Sequence, residues 1–128
     1  MSFDVFLQRF VDGEATDCNA RALLAVLDPY VERDVRTGEL TRAVFEDGDA
    51  EVYGTDVSRG LMLSHIVGLA AWETVTDLAR AGSLAILAVG CPAAVPRGNL
   101  LPHLPAELRE GAVVVTRGSE LRAALGIR

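Results

Sequence analysis

The sequence contains no lysine: all twelve basic residues among its 128 are arginine. Schiff-base, lysine-base and P-loop lysine chemistry are therefore excluded. Every side-chain cation is a planar guanidinium fork suited to carboxylates rather than a mobile ammonium. No apolar run approaches the ~18 residues of a membrane helix, so no membrane partner is expected. The two cysteines, Cys18 and Cys91, are far apart, and no secretory leader is visible because Asp4 and Arg9 interrupt the early apolar stretch. Thiols in that setting read as reduced and the protein as cytoplasmic, with a single disulfide left open. CxxC, GxSxG, GxGxxG and P-loop patterns are all missing, which removes the usual signatures of redox, hydrolase and nucleotide chemistry. No cofactor is expected, and no catalytic residue or metal ligand is assigned.

What is present describes a folded chain. At 13.6 kDa and 50% apolar it has enough material for a real core, and residues 1–128 read as one α+β domain. The formal net charge of -6 argues against a nucleic-acid partner, which would need clustered cations. The acidity belongs to the first half: residues 1–64 carry thirteen acidic and six basic side chains, against five and six in residues 65–128. Eighteen alanines and fifteen valines beside three isoleucines match the codon usage of a high-G+C bacterial genome.

Patterning supplies the elements. Phe3 to Val11 reads as a strand with Phe3, Val5 and Leu7 on one face, ended by Asp12-Gly13. Thr16, Asp17 and Asn19 offer caps for a helix carrying Ala20, Leu23, Leu24 and Leu27 at i, i+3, i+4 and i+7, stopped by Pro29. Leu40–Glu46 and Glu51–Gly54 form a hairpin about an Asp47-Gly48 turn. Leu61–Gly68 follows as a central strand, apolar on both faces. Ala71–Ala81 is a helix burying Trp72, Val75, Leu78 and Ala79, with Gly82 at its C-terminal cap. Leu84–Val89 is a buried strand, 92–105 a proline-rich irregular loop, Pro105–Glu110 one helical turn, Ala112–Arg117 a strand and Glu120–Leu125 a short helix capped by Ser119. The order β-α-β-β-β-α-β-loop-β-α predicts a single mixed or antiparallel sheet with helices on one face. A ferredoxin-like or related split arrangement is the nearest named type.

FDVFLQRF with its following Asp-Gly, VYG at 52–54, AAW at 70–72, VGCP at 89–92 and HLP followed by VVV carry a resemblance across most of the chain. It resembles small actinobacterial proteins to which no activity is assigned. The resemblance implies an origin and transfers no functional residue.

Several side chains are candidate binding residues. Glu46, Asp47, Asp49 and Glu51 cluster about Gly48; their spacing does not match an EF-hand loop. They read as a solvated turn or as an acidic surface for a basic partner. His65, on the strand face of Leu63 and Val67, is a base if a partner is placed beside it and a core histidine otherwise. Cys91, after a buried strand, is a nucleophile if a cation lowers its pKa and a small apolar residue otherwise. Arg97, in the proline-rich loop, is an anion clamp or a solvated tip. With His103, the cysteines and histidines total four, but none has the close spacing of zinc ligands.

The function expected first is a non-enzymatic, acidic protein-interaction module, with an inhibitor or immunity-type protein as its concrete form. The alternative is a small-molecule binder or enzyme whose pocket lies between the sheet and the 92–105 loop. A homodimer is the third reading.

Overall fold

A computed structural model describes residues 4–127; Phe3, expected on one strand face with Val5 and Leu7, lies outside them. The chain builds one mixed sheet of nine strands. The first, β1 (Val5–Val11), turns tightly through Asp12 and Gly13 into β2 (Glu14–Thr16), pairing Val11 with Glu14. Both turn residues carry positive φ, 52° and 84°, which suits the tight hairpin geometry that follows strand twist. The turn is pinned from outside: the backbone N–H of Gly13 donates to the His103 carbonyl (2.9 Å) and that of Asp12 to His103 Nδ1 (3.1 Å).

Asn19, one of three expected caps, accepts from the Ala22 N–H and starts α1 (Ala20–Leu27), whose Leu23 and Leu27 are fully buried. Next come β3 (Val31–Arg33), β4 (Leu40–Phe45), β5 (Gly48–Tyr53) and β6 (Leu61–Ser64). The expected hairpin is present, with its turn one residue earlier than Asp47-Gly48. Phe45 pairs with Gly48, so Glu46 and Asp47 form the turn and Gly48 begins β5. Helix α2 (Leu69–Gly82) buries Trp72, Val75, Leu78 and Ala79, the stripe expected of it. Its cap is Ser83 in the left-handed region (φ 55°), and Gly82 is the last helical residue instead. Gly82 sits close to α1: a Cβ there would lie 2.9 Å from Leu23 Cδ2, so that side chain would have to shift.

The chain ends with β7 (Ala85–Leu87), β8 (Ala94–Val95), a 3₁₀ helix (Gly98–His103), α3 (Ala106–Arg109), β9 (Val113–Val114) and α4 (Gly118–Ala124). Residues 92–105 are thus ordered rather than irregular. Ser119 lies inside α4; Arg117 is the capping position, and Glu120 reaches back to accept from the Thr116 N–H and hydroxyl.

The sheet order is β3-β4-β5-β6-β1-β7-β8-β9, with β2 paired to β1 and only β8–β9 parallel, so β6 is central as expected. Period-two alternation sorts the strand residues. Ala43, Ala50, Val52, Leu61, Leu63, Val5, Leu7 and Ile86 join Leu23, Leu27, Trp72, Val75, Leu78 and Leu121 in the main core, so α1, α2 and α4 cover one face. Ala85, Val95 and Leu104 join Phe10, Leu87 and Leu101 in a second cluster, where the 3₁₀ segment and α3 cover the other face over β7 and β8. Over β4 and β5 that second face is open among the described residues, with Val44 and Tyr53 exposed, while on β6 Met62 is half-buried and Ser64 buried.

The hairpin turn is seated against the start of α2. A Cβ on Gly48 would lie 1.9 Å from the Val67 carbonyl oxygen. Gly48→Ala is expected to destabilise the fold by about 2–3 kcal/mol through overpacking. Gly98→Ala, where nothing lies within 4 Å, is expected to stay within about 0.5 kcal/mol. Urea unfolding checks both, and equal midpoints would refute the close approach.

Candidate functional site

On the open face, outward-pointing side chains of β4, β5 and β6 form a row: the register pairs Arg42 with Glu51 and Glu51 with Ser64. Glu51 is its hub. Its Oε2 accepts from the Tyr53 hydroxyl (2.8 Å) and lies 2.9 Å from His65 Nδ1. The Ser64 hydroxyl donates to Asp4 (2.6 Å) and lies 3.3 Å from the same His65 nitrogen. Arg42 bridges Glu32 and Asp49, each at 3.4 Å. Around these groups Phe6, Val44 and Tyr53 are 41%, 39% and 48% exposed.

The proton inventory fixes the histidine tautomer. Ser64 has one hydroxyl proton, held by Asp4 in a short charge-assisted bond, so its oxygen can only accept from His65. Glu51 also accepts. The Nδ1 therefore carries the proton and Nε2 is left for other contacts. Serine, histidine and glutamate stand together, yet this is not a nucleophilic triad. That mechanism needs the acid on one ring nitrogen and the hydroxyl on the other, whereas here both meet Nδ1. The Tyr53 hydroxyl, then His65, hold the Glu51 carboxyl below its ordinary range, and the bond to Glu51 pushes the Tyr53 phenol up.

The sequence candidates are dispersed by the fold. His65 is not inside β6. The strand ends at Ser64, His65 turns into the left-handed region (φ 51°), and its ring lies on the open face, opposite to buried Leu63. Asp49 and Glu51 do share that face. Asp47 does not: its carboxylate accepts from the N–H groups of Leu69 (2.9 Å) and Ala70 (3.3 Å), capping α2, whose own capping residue Gly68 has no side chain to offer. Glu46 is exposed on the turn. Arg97 donates to the Arg80 carbonyl (3.3 Å) and to Ser83 Oγ, tying the 92–105 segment to the C-terminus of α2. The half-buried Cys91 thiol faces the Leu125 carbonyl (3.9 Å). His65, Cys91 and Arg97 thus have three separate sets of partners. The space beneath the 92–105 segment bounded by Phe10, Ser83, Ala85, Val95, Leu100 and Leu104 is about 10 Å³, room for roughly one water molecule. Cys18 is buried, donates to the Val57 carbonyl (3.3 Å), and has its thiol pKa pushed up by burial; both cysteines are free.

Asp4, Arg42, Tyr53 and Ser64 are site residues that sequence reasoning missed. One available signal was parity: Asp49, Glu51 and Tyr53 alternate along β5 and must share a face. Among the described residues, no group of three or more His, Cys, Asp or Glu side chains is arranged to hold a metal ion, and no helix is long and apolar enough to cross a membrane. Compared with family models, curated proteins and solved structures, the chain matches none.

Asp47→Ala is expected to lower stability by about 1 kcal/mol, the usual loss for an N-terminal cap, with Asp47→Asn retaining most of it; denaturant midpoints decide. A second expectation concerns acid. A carboxyl whose folded-state pKa is lowered contributes stability above the ordinary carboxylate range, lost as pH falls through the lowered value. Glu51 is lowered by Tyr53 and His65, Asp34 by the Thr37 and Arg36 N–H groups, Asp56 by Ser58 and Glu120 by Thr116. Melting temperature should fall on acidification through that window, less steeply in Glu51→Gln. An unchanged slope in the variant would remove the Glu51 contacts from the account.

Proposed function

We propose that the protein is a non-enzymatic interaction module that docks a basic protein partner on the open face of its sheet. One observation carries the reading: exposed Phe6, Val44 and Tyr53 lie among the carboxylates of Asp4, Glu32, Asp49 and Glu51, a pairing of apolar contact area with one sign of charge. Apolar and aromatic groups supply contact energy, and the surrounding acids speed encounter and reject acidic partners. The chain's net charge of -6 favours a basic protein over nucleic acid as that partner. A concrete form in keeping with this is an inhibitor or immunity-type protein covering a basic active site. The cellular setting proposed is the reducing cytoplasm, supported by Cys18 and Cys91 both being free.

A photo-crosslinking side chain at position 53 tests the reading. It should capture a partner at low salt, lose it at high salt, and lose about five- to tenfold in yield when Asp49→Asn and Glu51→Gln are combined. The same probe at Val89, exposed between β7 and β8, should capture nothing comparable. Capture indifferent to salt and to both substitutions would refute an electrostatic docking face.

A further inference from the structure

The sheet register slips between β3 and β4: Glu32 faces Arg42, but Arg33 already faces Leu40, leaving Thr41 as the extra residue. Such bulges redirect side chains at sheet edges. Here the slip accompanies a cleft of about 440 Å³ on the sheet. That volume falls within the ~300–1,000 Å³ usual for ligand clefts. Glu32, Glu39 and Glu51 line it, together with Arg42, Leu40 and Tyr53.

The chemistry of the lining is directional. Arg42 is already engaged by Glu32 and Asp49. Glu51 has committed Oε2 to Tyr53 and His65, which leaves Oε1 for another donor. Glu39, an exposed acidic residue, borders the same cleft. The Tyr53 ring, 48% exposed, forms an aromatic wall, whereas Leu40, which borders the same cleft, is buried in the main core. Two carboxylates beside an aromatic face suit a planar, multiply donating cation. A guanidinium can donate to both acids while stacking on the ring; an ammonium offers a compact charge and no plane.

We infer that this cleft receives an arginine side chain presented by the basic partner, with the guanidinium held between Glu39 and Glu51 and stacked on Tyr53. The inference rests on the acidic docking reading above and gives it a central anchor.

The test uses the full chain and two short peptides identical except for one central arginine or lysine, flanked by neutral residues. Backbone-amide NMR titration at low salt reads affinity and location. The arginine peptide should bind about three- to fivefold tighter than the lysine peptide and shift signals at Glu39, Glu51 and Tyr53. Tyr53→Leu should remove that preference, Tyr53→Phe should keep it, and the amide spectrum of each variant reports whether the fold is intact. Suppose the two peptides bind alike and Tyr53→Leu changes nothing, while binding still weakens with salt and with Asp49→Asn. The arginine slot is then overturned and the acidic docking face stands. If neither peptide binds at low salt, both readings fall.

Discussion

The seating of the β4–β5 turn on the N-terminus of α2 is the constraint from which most of the molecule's arrangement follows. Helix α2 starts at a glycine that offers no capping side chain, so its first amides depend on Asp47, more than twenty residues earlier in the chain. The backbones must come very close for that carboxylate to reach. Gly48 lies under the Val67 carbonyl, Gly68 lies against the Asp47 carbonyl, and the Val67 N–H donates to Asp49 at 2.8 Å. Side chains at either glycine would push the two pieces apart. The closeness also governs the connection between β6 and α2. The chain must leave the sheet after Ser64 and arrive over the hairpin within a few residues, and His65 takes a left-handed conformation in doing so. Histidine tolerates that region better than branched residues do. Its ring is thereby delivered beside Glu51.

The sheet's two faces are finished differently. One is covered along its length by three helices. The other is covered only over β7 and β8, where Leu104, Val95 and Phe10 pack beneath the 3₁₀ segment. That cover is held at separate places: His103 receives the β1–β2 turn, and Arg97 ties down to the end of α2. The 92–105 segment therefore works as a lid on a small core, with little room left under it. On the uncovered half the strands carry Arg42, Asp49, Glu51 and Tyr53 outward.

Much of the fold was legible because long elements announce themselves by period. The apolar spacing of Leu23 and Leu27, and of Trp72, Val75 and Leu78, places two helices on the core, and the apolar strand through Leu61 and Leu63 falls at the sheet's centre. What escaped was short or non-local. Strands of two or three residues, such as β2, β3 and β8, have too few positions to show alternation. A proline-rich 3₁₀ helix has no 3.6-residue stripe to detect. The same Asp-Gly dipeptide gave two outcomes: at 12–13 it fills both turn positions, while at 47–48 the glycine is displaced into the strand by its contact with Val67. Local preference cannot see that contact. The candidate site was legible in part for the same reason. Acidity on the hairpin could be counted, but which acids cap a helix and which face solvent depends on the docking of distant segments.

The acidity itself argues about purpose. Concentrated like charge weakens a compact state through self-repulsion. The first half relieves some of it with arginines: Arg42 between Glu32 and Asp49, and Arg33 on Asp28. These pairs are exposed, and exposed pairs stabilise by at most ~1 kcal/mol. They make the surface tolerable without making it necessary for folding. Asp47 is different, since its charge completes a helix. Asp49, Glu51 and Glu39 do no comparable work on the interior, and the tautomer of His65 removes the bond-making role that Ser64, His65 and Glu51 would otherwise suggest. A surface that is acidic, aromatic and not required by the core is physically coherent when its charge serves an encounter. Because the excess lies on strands rather than on a mobile tail, its pattern is held in register by the sheet. In the proposed docking, that rigidity lets charge select a partner by geometry as well as by sign.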